Sequence, residues 1–358
     1  MSNATSLSRV RPILERAIES RIFPGAVVEI GRTNGPIATI AAGTHTYAAR
    51  STAVEPNTIY DLASLTKVLA TTALMTGEID SGRMRLNDRV RHWVAAWTGE
   101  DRQTVTLQDL LEHAAGLPGH RPYHQSRRGR AAFELAICEE PLAYLPRTQS
   151  IYSDPGFMLL GFAMEHAASA PLNRQFDAWR DRELGADVEL RYLPGAEWRD
   201  RIAPTEDTPL GEERRGTVHD ENTEALGGVA SHAGLFGTAA AVGASARWWM
   251  RSPALPRFAT KSAVPGSSRA LGWDTMLPTS SCGAKLSKSA VGHTGFTGTS
   301  LWIDPAKDLY VVILSNRVHP ARQSNDGMQD IRRALHDAIV TDLEGAAPPG
   351  AAVVAEKH

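Results

Sequence analysis

Ser64-Leu65-Thr66-Lys67 opens an apolar run, VLATTALM, that continues over residues 68–75. A residue and its i+3 neighbour share one face of a helix, so the Ser64 hydroxyl and the Lys67 amine are predicted to lie within hydrogen-bond reach. A serine hydroxyl is a weak nucleophile until a neighbouring base accepts its proton. A lysine in a partly desolvated pocket can supply that base, because burial disfavours its charged form. The segment therefore predicts a serine nucleophile with a lysine partner.

Length and composition limit the class of protein. A chain of 358 residues fits two compact units, or one core with a large insertion. Apolar residues at 42% and charged residues at 22% are typical of a soluble globular protein. A net charge of −2 provides no long-range attraction to nucleic acid or to an anionic membrane, so neither is expected as a partner.

The sequence also bears on location and on cysteine chemistry. No apolar run approaches the roughly 18 residues that a membrane helix needs. The first residues lack a basic segment followed by an apolar stretch, so no secretory signal is predicted and the expected location is the cytoplasm. The two cysteines, Cys138 and Cys282, form neither a disulfide framework nor a metal-ligand spacing.

Strand patterns lie at both ends of the chain and helical patterns lie between them. Two apolar runs flank the turn Thr33-Asn34-Gly35 and predict a hairpin. A second pair of strands is predicted around the turn at 305–308. Helices are predicted at 7–20, 65–76, 107–114, 131–138, 155–168, 172–184, 238–250 and 328–343.

This order favours a sheet built from both termini with a helical insertion between its halves. We expect an α/β domain with an antiparallel sheet from residues 1–63 and 271–345, and a mainly helical domain from 64–270. Residues 346–358, rich in Ala, Pro and Gly, are predicted to form a loose tail. Catalytic groups commonly gather in the cleft between two such units.

Two further motifs follow Ser64-x-x-Lys67 in order. They are Tyr152-Ser153-Asp154 and His293-Thr294-Gly295, and the segment 106–118, TLQDLLEHAAGLP, lies between the first two motifs. The ordered set resembles the penicillin-recognising serine hydrolases, specifically their branch of class C β-lactamases, esterases and transacylases. The resemblance covers about residues 10–340. It implies an antiparallel sheet with flanking helices, joined to an all-helical domain.

The resemblance also implies a role for each motif. Ser64 would be the nucleophile that forms an acyl-enzyme, and Lys67 its proton acceptor or electrostatic partner. Tyr152 would relay a proton to the leaving group, and a nearby cationic lysine is expected to lower its pKa. The backbone N–H groups of Ser64 and Phe296 would form the oxyanion hole. Gly295 would permit close backbone approach at the cleft.

Two positions depart from the usual pattern of this branch. Asp154 stands where many relatives carry Asn, so an amide that donates and accepts becomes a carboxylate that only accepts. An anion there would hold Lys67 charged and repel anionic substrates. His293 replaces a lysine with a group that titrates near neutrality, which weakens a clamp for a substrate carboxylate. Both departures argue against efficient penicillinase activity.

The segment Val218-His219-Asp220-Glu221-Asn222 supplies further candidates, with His219 and Asp220 at the edge of the cleft. Adjacent residues rarely point at one metal ion, so hydrogen bonds that order the loop are favoured over ligation. His113 and His232 are interpreted mainly as structural. No other hydrolase, zinc, phosphate-binding or redox motif was found, and neither metal nor cofactor is expected.

The leading prediction is a serine hydrolase that acts through an acyl-enzyme on an ester or amide of a small molecule. One alternative is a transacylase that moves an acyl group to an amine or alcohol acceptor in a biosynthetic pathway. Others are a D-alanyl-D-alanine carboxypeptidase or β-lactamase, and a non-catalytic binding protein on the same fold. The expected partners are a small-molecule acyl donor and, for transfer, an acceptor. The oligomeric state is left open.

Overall fold

A computed structural model of the chain describes residues 7–322 and 327–345. The predicted tail at 346–358 therefore lies outside the described residues. The helices and strands, in chain order, are α1 (Val10–Glu19), β1 (Gly25–Arg32), β2 (Gly35–Gly43), β3 (Tyr60–Asp61), α2 (Thr72–Asp80), α3 (Val90–Trp93), α4 (Leu107–Leu111), α5 (Arg130–Glu139), α6 (Asp154–Ala168), α7 (Leu172–Glu183), β4 (Leu190–Tyr192), α8 (Glu221–Ala225), β5 (Leu235–Gly237), α9 (Ala239–Arg251), α10 (Leu255–Phe258), β6 (Asp274–Thr275), β7 (Val291–Thr294), β8 (Ser300–Asp304), β9 (Leu309–Ser315) and α11 (Met328–Gly345).

The main sheet is built from both ends of the chain. Its six strands pair antiparallel in the order β2-β1-β9-β8-β7-β6. Because side chains alternate along a strand, Val28 and Val27 of β1 face opposite sides of the sheet. Val28 lies in the core shared with α1 and α11, whereas Val27 lies in the larger core shared with α9. The predicted antiparallel sheet with flanking helices is confirmed.

The middle of the chain is mainly helical, but it differs from the predicted helical insertion in two respects. Helix α9, within residues 64–270, packs directly on β1 and β9 of the main sheet. Strands β3, β5 and β4 form a second, three-stranded sheet. Strands of two or three residues are too short to show an alternating pattern, which is why the sequence did not indicate them. The division at residues 63 and 270 stays a prediction.

The segment that carries Ser64 is not one regular α-helix, as the predicted helix 65–76 would require. Ala63–Leu65 form a 3₁₀ turn, Lys67–Thr71 form a π-helical turn, and α2 begins only at Thr72. Within this segment the Thr72 hydroxyl donates to the Lys67 carbonyl at 2.7 Å. Single π-helical turns are frequent at functional sites because they shift side chains relative to a regular helix.

Within residues 7–322 and 327–345 the structure contains no helix with the length and apolar character that a membrane crossing requires.

Candidate active site

Three functional groups, those of Ser64, Lys67 and Tyr152, meet at one point of the structure. The Lys67 Nζ lies 3.2 Å from the Ser64 Oγ and 2.6 Å from the Tyr152 hydroxyl. The Tyr152 hydroxyl donates to the Ser64 Oγ at 2.7 Å. Lys67 is fully buried, whereas Ser64 and Tyr152 are half-buried. Ser64 and Tyr152 are therefore partly exposed as residues, whereas the whole Lys67 side chain is excluded from solvent.

The Lys67 amine has more acceptors than it has protons. Besides the two hydroxyls, it contacts the Asp154 Oδ1 at 2.8 Å and the His232 carbonyl at 3.1 Å. An ammonium donates three hydrogen bonds, so four acceptors compete and the longest contact, to Ser64, is the weakest. Burial alone would lower the pKa of Lys67, but the nearby Asp154 and Tyr152 outweigh it and raise that pKa. Lys67 is therefore an ammonium at neutral pH.

The start of α6 positions Tyr152 and Asp154. Ser153 is the N-cap of this helix: its hydroxyl accepts from the Gly156 N–H at 3.1 Å and donates to the Pro118 carbonyl at 2.7 Å. A serine N-cap fixes the first turn by satisfying an otherwise unpaired backbone donor. The residues on either side of the cap, Tyr152 and Asp154, are thereby both directed at Lys67.

The ionisation of Asp154 and Tyr152 follows from the same contacts. Burial raises the pKa of Asp154, but the Lys67 charge and then the interaction with His120 outweigh it and hold that pKa well below its usual range. Burial also raises the pKa of Tyr152, and here the Lys67 charge is too weak to reverse the effect. The expected lowering of the Tyr152 pKa is therefore wrong, because desolvation outweighs the neighbouring cation.

Two further side chains pack on the Tyr152 ring. The His113 ring lies 4.8 Å away between centroids, and its Nδ1 accepts from the Ser153 N–H at 2.9 Å. The Arg269 guanidinium lies 5.1 Å from the centre of the Tyr152 ring and forms an ion pair with Asp274 at 2.5 Å. Burial, followed by the Arg269 charge, keeps the pKa of His113 well below its usual value. His113 therefore supports the phenol as a neutral ring.

Gly295, the residue after β7, lies directly against the turn that carries Ser64. A Cβ at this position would lie 2.1 Å from the Thr299 Oγ1 and 2.8 Å from the Leu62 carbonyl. The Thr299 hydroxyl also donates to that carbonyl at 3.1 Å. The close backbone approach that the sequence predicted for Gly295 is thus present, and a larger residue would separate the two segments. The next residue, Phe296, is 49% exposed.

A buried carboxylate, Asp61, organises the turn before Ser64. Its Oδ1 accepts from the Ala63 N–H at 2.8 Å, and its Oδ2 accepts from the His219 N–H at 2.7 Å. Its carbonyl accepts from the Thr297 hydroxyl at 2.7 Å. Ala63 has a φ of 46°, a left-handed conformation that is uncommon outside glycine. Three segments are tied to Asp61, and together they hold this strained residue next to the serine.

His293 differs from its predicted behaviour. The side chain is buried and its Nδ1 lies 2.9 Å from the Thr294 carbonyl oxygen. Burial, followed by the Lys67 charge, lowers the pKa of His293 well below its usual value. The expectation that His293 titrates near neutrality is therefore wrong. It is a neutral ring, 5.9 Å from the Tyr152 ring between centroids, and cannot supply a cation for a substrate carboxylate.

His219 lies beside the segment that follows β7. Its ring stacks on the Phe296 ring with centroids 5.7 Å apart and planes inclined by 24°. The guanidinium of Arg317 lies 4.9 Å from the same Phe296 ring. The structure therefore brings His219 to the neighbourhood that the sequence predicted, next to the backbone proposed as an oxyanion donor.

Asp220 and Glu221, the other two members of the His219-Asp220-Glu221 segment, do not share the contact of His219 with Phe296. The Asp220 Oδ1 lies 3.0 Å from the His232 Nε2, and Glu221 forms an ion pair with Arg322 at 2.6 Å. In the part of the chain that the structure describes, no three His, Cys, Asp or Glu side chains are arranged to hold a metal ion. The contacts of Asp220 with His232 and of Glu221 with Arg322 tie this segment to its surroundings.

Sequence reasoning missed several residues around the site. His120 is exposed, and its Nδ1 lies 3.7 Å from the Asp154 Oδ2. The neighbouring Asp154 carboxylate raises the pKa of His120. Asp61 and Arg269 were also missed. Asp61 stands three residues before Ser64, which is a weak local signal, whereas nothing in the sequence links Arg269 or His120 to the three motifs.

Known proteins resemble this chain in sequence and in fold. The sequence profile of the Beta-lactamase family matches residues 10–335. The chain is 29% identical over 307 residues to "Putative D-alanyl-D-alanine carboxypeptidase" of Escherichia coli (strain K12), covering 73% of this chain and 70% of that protein.

Two solved structures share the fold. EstCE1, a hydrolase with promiscuous acyltransferase activity, superposes with a TM-score of 0.74 at 21% identity, covering 94% of this chain and 99% of that chain. A class C beta lactamase from Rhodobacter sphaeroides superposes with a TM-score of 0.75 at 18% identity, covering 96% and 100%.

Proposed function

This chain belongs to the Beta-lactamase family, and on that premise we propose that it is a serine hydrolase that cleaves an ester or amide of a small molecule through an acyl-enzyme on Ser64. One observation carries the proposal. The Ser64 hydroxyl is 2.7 Å from the Tyr152 hydroxyl, which is 2.6 Å from the Lys67 amine. A nucleophile in contact with two groups that can move its proton is the arrangement that acyl transfer requires.

The steps follow from this geometry. Ser64 attacks the substrate carbonyl and its proton passes to the Tyr152–Lys67 pair, while the developing oxyanion accepts from the Ser64 and Phe296 N–H groups. Tyr152, which contacts the serine oxygen directly, then donates the proton to the leaving alcohol or amine. Water enters, gives a proton to the same pair and attacks the acyl ester. The Ser64 oxygen takes that proton back as the acid leaves.

The protonation states of Lys67 and Tyr152 make this activity dependent on pH. With Lys67 as ammonium and Tyr152 as neutral phenol, neither group can accept the serine proton. The reactive form has lost one proton from the pair. Because the pKa values of Lys67 and Tyr152 are both raised, this form becomes more abundant as the pH increases. We expect kcat/KM to rise about tenfold per pH unit until the pair has titrated.

The substitution Asp154→Asn tests whether the raised pKa of Lys67 sets this pH dependence. It removes the charge that raises the Lys67 pKa most, so the rising limb of log kcat/KM against pH should move down by about one pH unit or more. Activity at neutral pH should therefore increase. His120→Asn is the matched control, because it leaves the Lys67–Asp154 contact of 2.8 Å in place and should move the limb less. An unchanged profile in Asp154→Asn would show that the Lys67 ionisation does not limit acylation.

The charges around the site favour an acyl donor without a carboxylate next to the scissile bond. Lys67 is balanced by Asp154, Arg269 is balanced by Asp274, and His293 is neutral. His293 therefore supplies no cation at the predicted clamp, and the charge of the Asp154 carboxylate is already offset by Lys67. The proposed hydrolase needs no partner other than the acyl donor and water. An amine or alcohol acceptor would be needed only if the protein is a transacylase.

The proposal is tested by intact-protein mass spectrometry on the full chain. The protein is mixed with p-nitrophenyl butyrate, a thioester, an anilide, a penicillin and N-acetyl-D-alanyl-D-alanine, and peptide mapping locates any added mass. We expect an adduct of the butyryl group on Ser64 that water removes. Adding an amine or alcohol then measures how the acyl group divides between water and the acceptor. A transacylase would transfer most of the acyl group to the acceptor. No adduct with any donor would refute the proposal.

A second candidate function is peptide cleavage by a D-alanyl-D-alanine carboxypeptidase, and it is favoured by the 29% identity to the Escherichia coli protein of that name. The neutral His293 argues against it, because the free carboxylate of such a peptide would meet no cation there. The D-alanyl-D-alanine arm of the same panel separates the two. Faster turnover of the dipeptide than of the butyryl ester would favour the carboxypeptidase.

A further inference from the structure

Arg332, on the inner face of α11, is a buried arginine with an unusual set of partners. Its Nη2 donates to two backbone carbonyls, that of Thr299 at 2.8 Å and that of Gly295 at 3.2 Å. Among the residues that the structure describes, no carboxylate forms an ion pair with it. Burial of a charge is costly unless dipoles or an opposite charge compensate it. The two carbonyls are the compensating dipoles.

One of these carbonyls belongs to the peptide that carries the proposed oxyanion donor. The peptide between Gly295 and Phe296 is trans, and in a trans peptide the C=O and N–H point in opposite directions. With its oxygen directed at Arg332, this peptide must direct the Phe296 N–H away from α11. The Gly295 carbonyl also accepts from the Gly298 N–H at 3.2 Å, which closes a turn and leaves the Phe296 N–H outside it.

The Phe296 N–H is free to receive a substrate atom. It donates to no protein acceptor within residues 7–322 and 327–345. The segment that bears it is fastened to the Ser64 turn by hydroxyls: Thr297 donates to Asp61 at 2.7 Å and Thr299 donates to Leu62 at 3.1 Å. The segment that bears the donor is thereby held against the turn that carries Ser64.

A cation against a carbonyl oxygen also changes the strength of the opposite N–H. Charge on the oxygen side polarises the whole peptide, and hydrogen bonds in a chain strengthen one another in a medium of low dielectric constant. Burial, followed by the Arg317 charge, lowers the pKa of Arg332 to about 9, so the guanidinium is still charged at neutral pH.

We propose that Arg332 is a positioning residue for the oxyanion hole, which orients and polarises the Gly295–Phe296 peptide from behind so that its N–H binds the developing oxyanion. This inference rests on the proposed function of Ser64. Arg332 touches no substrate atom itself. Its effect reaches the reaction through one peptide group.

The neighbouring arginine, Arg333, provides a matched control. It donates to the carbonyls of Pro278 at 3.0 Å and Ser280 at 2.9 Å. It therefore ties α11 to the body of the protein by the same chemistry, but through a loop that carries no proposed donor. A purely structural role for arginine–carbonyl bonds on α11 would make the two residues behave alike.

The test uses the full-length Arg332→Gln, Arg332→Lys and Arg333→Gln variants with p-nitrophenyl butyrate labelled with ¹³C at the carbonyl. Rapid mixing gives the acylation rate constant, and infrared difference spectra give the carbonyl stretch of the acyl-enzyme, which falls when the oxyanion hole polarises that carbonyl. In Arg332→Gln we expect acylation about tenfold slower, a smaller change in KM, and a stretch at higher frequency. Arg332→Lys should be intermediate and Arg333→Gln like the wild type.

Other outcomes distinguish the role of Arg332 from the proposed function of Ser64. An acyl-enzyme in Arg332→Gln with the wild-type rate and carbonyl frequency would overturn the role of Arg332 and leave Ser64 as the nucleophile. Loss of the folded state in both Arg332 variants, with Arg333→Gln folded, would assign Arg332 a structural role only and overturn it as well. Failure of the wild type to form any adduct would refute the proposed function, and this inference with it.

Discussion

Replacing Ser64 with alanine is expected to abolish turnover of p-nitrophenyl butyrate, with a loss of at least about 10⁴-fold in kcat, and to eliminate the acyl adduct. The reason is that the covalent bond to substrate forms at the Ser64 Oγ, which contacts both the Tyr152 hydroxyl and the Lys67 amine. Steady-state kinetics and intact-protein mass spectrometry measure the two losses independently.

The fold should survive this substitution, so the loss can be assigned to chemistry. Alanine removes one hydroxyl and keeps the backbone N–H. Ser81→Ala is a suitable control, since Ser81 is an exposed serine at the end of α2 whose hydroxyl donates to the Glu78 carbonyl. It should keep full activity. If Ser64→Ala retained the wild-type rate, or if its adduct appeared on another residue, the assignment of the nucleophile would be wrong.

Replacing Lys67 with methionine is expected to have two large effects, one on activity and one on stability. Activity should fall by about 10³-fold, because the serine proton loses its accepting pair. The free energy of unfolding should fall by about 3 kcal/mol, because Asp154 would be left as a charge without its cation in a desolvated site. Ester turnover and urea unfolding measure the two effects.

A double substitution separates these effects. In Lys67→Met/Asp154→Asn neither partner carries a charge, so most of the lost stability should return while the activity does not. Recovery of both would mean that Lys67 acts only by balancing Asp154. Recovery of neither would mean that the methionine disrupts the packing of the buried site.

The stability loss should also depend on pH in a defined direction. In the wild type the lowered pKa of Asp154 contributes stability at pH values above its unfolded pKa, and this contribution is lost as the pH falls through the folded value. The raised pKa of Lys67 contributes stability below its unfolded pKa, which is lost as the pH rises through the folded value. In Lys67→Met the isolated buried carboxyl takes up a proton more readily, so the deficit should shrink as the pH is lowered from 8 to 5.

Much of the architecture could be predicted because its signals are local or ordered along the chain. The hairpin β1–β2 is marked by turn residues between two apolar runs, and β8–β9 repeats that signature. The predicted helix 107–114 illustrates the limit of such signals. Helix α4 ends at Leu111, and His113 adopts a φ of 54° so that its ring reaches Tyr152. The contact between His113 and Tyr152, which are 39 positions apart in the sequence, overrides the local helical pattern at the end of the predicted helix 107–114.

The amino-acid sequence alone determined the family, the antiparallel fold and the set Ser64, Lys67 and Tyr152 as candidates, because motif order and i, i+3 spacing are written along the chain. Only the tertiary structure decided the charge states of His293 and Tyr152. His293 is neutral and the Tyr152 pKa is raised rather than lowered, whereas the ammonium form of Lys67 was already expected from Asp154 in the sequence. The physical reason is that desolvation and Coulomb interactions depend on distances between residues far apart in sequence, such as Lys67 and Asp154, and on how much water the packing around them excludes.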